Sequence, residues 1–212
     1  MSLKIVAISD THRQHGRIKL PPGDVLIHAG DALSFGTADE WIDFTRWWND
    51  LQYGFKIYVA GNHDWILERE PEWAIEQLKN THYLQDSGVT IEGKLFWGSP
   101  WSRPFCNWAF NRGDNFRYEK FEKIPFETYV LITHTPPEGY CDKVWTDRIG
   151  DAHLAARTEI TAPPVHICGH IHYGYGTELR DFKVAGSTGI VVNAAICNEG
   201  YKPVNAPITL RI

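Results

Sequence analysis

Six short apolar runs recur along this chain, and each predicts a strand that is buried on both faces. The runs are rich in valine, isoleucine and leucine and show little alternation of apolar with polar residues. That composition is typical of strands in sheets covered on both sides, whereas half-exposed strands alternate. The runs cover residues 5–8, 25–27, 57–60, 95–97, 129–132 and 165–168. The chain is therefore confined to folds built on largely buried sheets.

Segments with helical periodicity separate some of these runs. Thr37 and Glu40 have the spacing of a capping box, and apolar residues follow them at helical intervals. Pro71 suits the first turn of a second helix, and a third helix is expected over about 151–157. Residues 177–179, 182–185, 189–195 and 208–212 are expected to be strands of antiparallel hairpins. We therefore predict an α/β fold, with one domain over residues 1–212 built on two sheets.

Composition narrows the classes of partner. The net charge of −5 and the lack of any lysine or arginine run disfavour long nucleic acids. No stretch reaches the roughly 18 apolar residues of a membrane span, and none resembles a signal peptide. The four cysteines are widely spaced and form no CxxC pair, which favours reduced thiols. We expect a cytoplasmic protein that acts on a small-molecule substrate. The sequence is compatible with both a monomer and a homo-oligomer.

Polar residues follow most of the predicted strands directly. Loops at the carboxyl ends of strands in α/β sheets commonly form the binding crevice. These carboxylate, amide and imidazole donors outnumber the ligands of one tetrahedral ion. They suit two ions about 3.5–4 Å apart, bridged by a shared carboxylate and a water. The groups are Asp10-Thr11-His12, Gly30-Asp31, Asn62-His63-Asp64, His134 and His170-Ile171-His172.

Each of these groups also has a structural explanation when taken alone. Asp-Thr and Gly-Asp begin ordinary turns, and Asn-His-Asp can cap a loop. His134 can simply end a strand before Thr135-Pro136-Pro137. Five such groups at successive strand ends favour a metal site over five unrelated turns.

The same groups resemble the signature of the calcineurin-like metallophosphoesterase superfamily, which is DxH, GD, GNH[ED], H and GHxH in that order. Every element is present between Asp10 and His172, and residues 97–101 and 168–176 resemble the metallophosphoesterase-domain-containing subfamily. The resemblance implies a two-sheet α/β/β/α sandwich. It also implies that Asp31 bridges two ions, one held by Asp10, His12, Asp31 and His172 and the other by Asp31, Asn62, His134 and His170.

The cofactor expected from this resemblance is a pair of divalent metal ions. Neutral imidazole suits Zn, Fe, Mn and Ni, while carboxylate and amide oxygens suit Mn and Mg. We therefore expect Mn, with Fe, Zn, Ni and Mg as alternatives.

A dimetal hydrolase of phosphate esters would use a metal-bridging hydroxide as its nucleophile. The leaving group then needs a proton, and His63 is the candidate general acid because Asn62 already supplies a ligand from that loop. Asp64 is expected to orient His63 or to raise its pKa. The alternatives for His63 are a further metal ligand and an ordinary turn histidine.

Substrate binding is expected from an aromatic segment over residues 97–112 and from the residue that follows the DxH group. Aromatic side chains there could stack on a base, which would favour a nucleotide substrate. The alternative is a hydrophobic loop that covers the core. The predicted substrate-binding residues are Arg13, Trp101, Asn107 and Trp108.

The leading functional prediction is a phosphodiesterase, and the subfamily resemblance implies cyclic nucleotides as candidate substrates. A phosphomonoesterase or protein phosphatase is the alternative among enzymes, but a dianionic substrate needs extra cationic groups. Arg13 is the one such residue near the signature groups in sequence. A non-catalytic metal-binding scaffold of the same fold is the alternative from another class.

Overall fold

A computed structural model describes residues 2–212 of the chain. Within that range every predicted apolar run contributes to a strand, and all three predicted helices form. The strands are β1 (Lys4–Ile8), β2 (Val25–His28), β3 (Phe55–Tyr58), β4 (His82–Tyr83), β5 (Ser87–Ile91), β6 (Lys94–Ser99), β7 (Thr128–Thr133), β8 (Lys143–Val144), β9 (Asp147–Arg148), β10 (Val165–Cys168), β11 (Gly176–Phe182), β12 (Ser187–Asn193) and β13 (Ile208–Arg211). The helices are α1 (Ala38–Asp50), α2 (Trp65–Arg69), α3 (Pro71–Glu76), α4 (Asp114–Phe121) and α5 (Ala152–Thr161).

Two main sheets contain most of these strands. The first has the order β13-β1-β2-β3-β4 and is parallel except for β13. The second has the order β11-β12-β10-β7-β6-β5, with four parallel strands inside and antiparallel strands at both edges. Because parallel strands end at the same edge of a sheet, the loops after β1, β2 and β3 lie together, as do those after β7 and β10.

Ser9, which directly follows β1, joins the two sheets. Its N–H donates to the carbonyl of Ala194 at 2.8 Å, and its own carbonyl accepts from the N–H of Ile196 at 2.8 Å. Both partners follow β12 of the second sheet. The carboxyl edges of the two sheets therefore meet where the loop from Asp10 to His12 begins.

The two sheets pack face to face, and helices cover their outer faces. Ile5 of β1 and Ile132 of β7 belong to one buried cluster between the sheets. Leu26, on the opposite face of the first sheet, shares a second cluster with Trp48 of α1. Leu131, on the opposite face of β7, shares it with residues of α4 and α5. The layers are therefore α/β/β/α, as the family resemblance implied.

Helix α1 begins where the capping-box spacing predicts. Thr37 is its N-cap and accepts a hydrogen bond from the N–H of Glu40 at 3.3 Å. The Glu40 carboxylate instead accepts from three consecutive N–H groups of the preceding loop, residues 34–36. This glutamate therefore holds a loop beside the carboxyl edge of the sheet.

One predicted strand was wrong. Residues 182–185 were expected to form a strand of their own, but β11 continues to Phe182 and residues 183–186 form the turn into β12. The apolar residues there belong to an exposed turn, in which Val184 is 72% exposed. Helices α2 and α4 and strand β5 were not predicted, because they are short and lack a regular apolar period.

Among residues 2–212, no helix has the length and apolarity needed to cross a membrane. All four cysteines lie in this range and are free thiols, with Cys106 exposed and the other three buried.

Candidate metal centre

Loops that follow five parallel strands bring the predicted ligands to one place. These loops follow β1, β2, β3, β7 and β10. Five of the side chains are buried, and the two from the last loop are half-buried. The residues are Asp10, His12, Asp31, Asn62, His134, His170 and His172. Together with His63, their histidine and carboxylate side chains form three groups, and the ligand atoms inside each group lie within 4.8 Å of one another.

The first group consists of Asp10, His12 and His172. The Nε2 atom of His172 lies 3.3 Å from Oδ1 of Asp10 and 3.3 Å from Nε2 of His12. The Nε2 atom of His12 lies 4.0 Å from the same carboxylate oxygen. Two imidazoles and one carboxylate thus converge on a point that a single cation could occupy.

The second group consists of Asp31, His134 and His170. The Nε2 atom of His134 lies 3.3 Å from Oδ2 of Asp31 and 3.0 Å from Oδ1 of Asn62. The same Oδ2 atom lies 3.9 Å from Nε2 of His12 in the first group. The carboxylate of Asp31 therefore lies between the two groups, where it could bridge two ions.

Backbone carbonyls orient three of the ligand imidazoles. A carbonyl can only accept, so in each case Nδ1 carries the hydrogen and Nε2 faces the other ligands. This outer hydrogen bond is typical of metal-ligating histidines, whose tautomer and ring orientation it fixes. The bonds run from His12 to Leu33 (3.0 Å), from His134 to Ala29 (2.8 Å) and from His172 to Asn198 (2.9 Å).

Each buried carboxylate shares charge with one histidine. Burial opposes ionisation of Asp10, but the hydrogen bond and charge of His172 hold its pKa well below the usual range. Burial likewise opposes protonation of His172, but Asp10 raises the pKa of that imidazole to about 9. The Asp31 and His134 pair behaves in the same way, and the pKa of His134 rises to about 9. A divalent cation would take the place of these two protons, so the donor set fits a metal.

The remaining two ligand histidines favour their neutral forms. Burial lowers the pKa of His12 to about 4, although the charges of Asp31 and Asp10 oppose this shift. Burial and the positive charge of His134 lower the pKa of His170 to about 4. Neutral imidazole is the form that binds a metal, so these two rings need lose no proton.

Four of the ligand residues have a left-handed backbone. The φ angles are 51° for Asp10, 39° for His12, 59° for Asp31 and 66° for His170. Residues other than glycine rarely adopt this conformation, which persists at functional sites where surrounding bonds enforce it. Here the N–H of His170 donates to the Asp10 carboxylate at 2.9 Å, across 160 residues of sequence.

Asp64 does not have the contacts that we predicted. We expected its carboxylate to orient His63 or to raise its pKa; in the structure it forms hydrogen bonds to the loops that follow β2 and β3. Burial and the charge of Asp31 raise the pKa of Asp64 to about 7. Its oxygens accept from the N–H groups of Gly61 (2.8 Å), Asp31 (3.0 Å) and Leu33 (3.2 Å) and from the hydroxyl of Tyr58 (2.8 Å).

The His63 imidazole lies at the edge of the ligand groups. Its Nδ1 donates to the carbonyl of Ser34 at 2.7 Å, and its ring lies 4.1 Å from the Trp108 ring. It also forms the third ligand group with His12 and Asp31. The position suits a proton donor that faces the cavity, and it equally suits a further metal ligand.

A cavity of about 750 Å³ opens above the ligand groups. Its floor includes His12, Asp31, Asn62 and His63, with both histidines of the GHxH loop. Among residues 2–212, Arg103 is the only lysine or arginine in the lining. Clefts of this size hold most of the surface of a small organic ligand, so the ligand groups lie in an accessible binding site.

Only one of the four predicted substrate-binding residues lines this cavity. Trp108 does so, and it packs against His63. Trp101 is buried, and its indole N–H donates to both oxygens of Asp86 at 2.9 Å. Arg13 lies 3.4 Å from the Glu40 carboxylate. Asn107 is exposed and is not among the residues that line the cavity. The aromatic segment therefore covers the core at one end and lines the cavity at the other.

Two residues near the centre were not predicted as part of it. The ring of Tyr201 lies 4.7 Å from that of His12 and lines the cavity, yet no local pattern in the sequence marks it. His28 is buried, and its Nε2 lies 3.1 Å from Oγ1 of Thr11. Its Nδ1 accepts from the N–H of Gly30 at 3.2 Å, so it joins the loops after β1 and β2.

Comparisons with known proteins agree with this geometry. The sequence profile described as calcineurin-like phosphoesterase matches residues 3–174. A human protein named Metallophosphoesterase domain-containing protein 1 is 37% identical, over 98% of this chain and 70% of that protein. UPF0046 protein K07C11.7 of Caenorhabditis elegans is 36% identical, over 99% of this chain and 75% of that protein.

A solved structure shares the fold. The crystal structure of TT1561 of Thermus thermophilus superposes with a TM-score of 0.63 over 91% of this chain and 89% of that chain. Sequence identity between the two is 14%, so this likeness concerns the fold alone.

Proposed function

Because the chain belongs to the calcineurin-like phosphoesterase family, we propose that it is a phosphodiesterase that acts on nucleotide diesters, cyclic nucleotides among them. Metal-dependent hydrolysis of phosphate esters is the activity that the family supports. The observation that carries the proposal is the carboxylate of Asp31, which lies between two ligand groups beneath one cavity.

The proposed ligands divide between two divalent ions. When bound, the ions would supply Lewis acidity and a water nucleophile that is active at neutral pH. Manganese suits this set of nitrogen and oxygen donors, which contains no thiolate. Asp10, His12, Asp31 and His172 would hold one ion, and Asp31, Asn62, His134 and His170 the other.

His63 is the proposed general acid. The bond from its Nδ1 to Ser34 fixes the ring, so that Nε2 is the nitrogen left to serve the cavity. Packing against Trp108 restricts the ring further. A proton delivered from Nε2 would neutralise the leaving alkoxide of the ester. Asp64 would act at a distance, through the loops whose N–H groups it binds.

The charges of the cavity support a diester in preference to a monoester. A monoester dianion needs more cationic donors than a diester monoanion does. Arg103 alone among the described lysines and arginines lines the cavity, and it already donates to the carbonyl of Gly150 at 3.3 Å. The aromatic rings in the cavity lining, Trp108 and Tyr201 among them, support a nucleobase in the substrate.

The fold and the thiols support two further parts of the proposal. The two sheets pack face to face and are joined at Ser9, which supports a single domain. The free thiols support a reducing compartment, for which we propose the cytoplasm.

Reconstitution with single metals tests the activity. The metal-free protein would be loaded separately with Mn, Fe, Ni, Zn or Mg and assayed with bis(4-nitrophenyl) phosphate, 4-nitrophenyl phosphate, and 2′,3′- and 3′,5′-cyclic nucleotides. We expect a higher kcat/KM for the diester than for the monoester. A faster monoester reaction would refute the diester preference, and no hydrolysis with any metal would refute the function.

The role of His63 is tested with His63→Asn, and His82→Asn serves as the matched control because His82 is exposed on β4. We expect His63→Asn to keep two ions per chain and to lower kcat for a cyclic nucleotide by about 10²–10⁴. The loss should be much smaller for a nitrophenyl ester, whose leaving group needs no proton. Loss of an ion with normal activity per remaining ion would show that His63 is a ligand instead.

A further inference from the structure

Apolar side chains form much of the cavity lining besides the metal ligands. These residues are Pro104, Phe105, Val144, Ile149, Ile171 and Tyr173, which we call the apolar compartment. Pockets of about 300–1,000 Å³ accommodate ligands of drug size, and the whole cavity measures about 750 Å³. The space above the ligand groups therefore exceeds the need of one phosphate group, and an organic group can lie beside it.

Three loops build the apolar compartment, and a hydrogen bond and an aromatic contact link them. Arg103 donates to the carbonyl of Gly150, which follows the β8–β9 hairpin. The buried carboxylate of Asp142 accepts from the N–H of Gly150 at 3.1 Å and so anchors the base of that hairpin. At its tip, the ring of Trp145 lies 5.8 Å from that of Tyr173. The three loops are thus in contact with one another around the compartment.

Aromatic surface in this compartment faces water. Phe105 is 69% exposed and Tyr173 is 53% exposed. Exposed apolar surface that borders a cleft is typical of a binding site. A planar group placed between these walls would remove that surface from water, and stacking would add to the gain.

The charges of the compartment exclude a second anion. In the described chain, Arg103 and Glu199 are the only lysine, arginine, aspartate or glutamate residues in the lining outside the proposed ligand set. Their charges are opposite, so no cluster of donors is left for another phosphate or carboxylate. An uncharged group needs no such cluster of donors.

We propose that the apolar compartment binds the organic group of the ester and selects an uncharged planar ring with no second phosphate. Phe105 and Tyr173 are the residues that determine this specificity. The inference rests on the proposed function in one respect, which is that the metal centre holds the phosphoryl group. The proposal predicts that diesters of nucleoside monophosphates bind in the cavity. It also predicts that an additional phosphate on the ligand adds no affinity.

Calorimetric titration of the metal-loaded protein with three phosphonates tests the compartment without turnover. We expect phenylphosphonate to bind about tenfold more tightly than methylphosphonate, which is the contribution of one stacking contact. We expect 1,4-phenylenebis(phosphonate) to bind no more than about twofold more tightly than phenylphosphonate, which is the statistical effect of its two equivalent phosphonates. Equal affinities for the phenyl and methyl compounds would overturn the proposal, and so would a gain for the bisphosphonate well above that factor.

Variants show whether the preference arises in the compartment. Tyr173→Ala and Phe105→Ala should each reduce the preference to about threefold or less. Phe126→Ala is the matched control, because Phe126 is 61% exposed and packs against Arg157 outside the cavity. An unchanged preference in both compartment variants would refute the assignment. If the protein prefers phenylphosphonate to methylphosphonate but hydrolyses no diester, the proposed function is refuted and the proposed compartment is not. If it hydrolyses diesters but shows no such preference, only the proposed compartment is refuted.

Discussion

Gly61 lies against the residue that we propose as the metal bridge. A Cβ atom added at Gly61 would lie 2.7 Å from Cε1 of His134, and closer still to the backbone nitrogen and a carboxylate oxygen of Asp31. Ordinary contacts of a Cβ atom begin at 3.4 Å. In Gly61→Ala, these neighbours must therefore retreat by at least about 0.7 Å, which is 3.4 less 2.7.

That displacement is large for a metal ligand. Metal–ligand distances are held to within about 0.2 Å, so a shift of about 0.7 Å removes at least one bond from Asp31 or His134. We expect the affinity for metal to fall by about 10–100-fold or more. Overpacking also costs about 2 kcal/mol, which lowers the Tm of a protein of this size by about 4–8 °C.

The assay compares Gly61→Ala with Gly16→Ala. A Cβ atom at Gly16 meets nothing within 4 Å, so that variant should change stability by no more than about 0.5 kcal/mol. Bound Mn would be measured by equilibrium dialysis with elemental analysis, and Tm by calorimetry. If Gly61→Ala bound two ions with normal affinity and melted like the control, the packing of Gly61 on Asp31 would not position the metal site.

Two other predictions concern charged and titratable groups. Asp31→Asn should reduce the bound metal from two ions per chain to one or none; retention of both, by elemental analysis, would exclude a bridging role. Burial, aided by the charge of Arg180, lowers the pKa of His166 from 6.5 to about 3. Between these values only the unfolded chain binds the proton, so stability falls as the pH falls. At pH 5, which is 1.5 below 6.5, this residue costs about 2 kcal/mol. Urea unfolding at pH 7 and pH 5 measures how much free energy of unfolding each protein loses on acidification. His166→Leu should lose about 2 kcal/mol less than the unmodified protein, and equal losses in the two proteins would contradict the assignment. Thr133 still donates to the carbonyl of Thr135 in that variant, so its hydroxyl keeps a partner.

The strands could be predicted because the information is local. A run that is apolar on both faces has few alternatives to a buried strand, and all six such runs contribute to the two sheets. The wrong prediction at residues 182–185 also arose from local information, because a short apolar stretch does not show whether other segments will bury it. Val184 lies in an exposed turn.

The partners of individual polar side chains could not be predicted in this way. Asp64 follows His63 directly, yet its carboxylate binds the N–H of Asp31 and of Leu33, more than 30 residues away. Trp101 lies in an aromatic segment that suggested stacking on a substrate, but Asp86 accepts its indole N–H in the interior. Such pairings depend on which segments the fold places side by side.

The sequence by itself determined the chemistry of this protein: which carboxylate, amide and imidazole side chains end the buried strands, and in which order. Those are properties of residue type and position, and the family resemblance depends on them. Only the tertiary structure placed the carboxylate of Asp31 between the two ligand groups and placed Phe105, Tyr173 and Tyr201 along one cavity. The physical reason is distance: the bond between His170 and Asp10 joins residues 160 positions apart, which only the packing of two sheets can bring together.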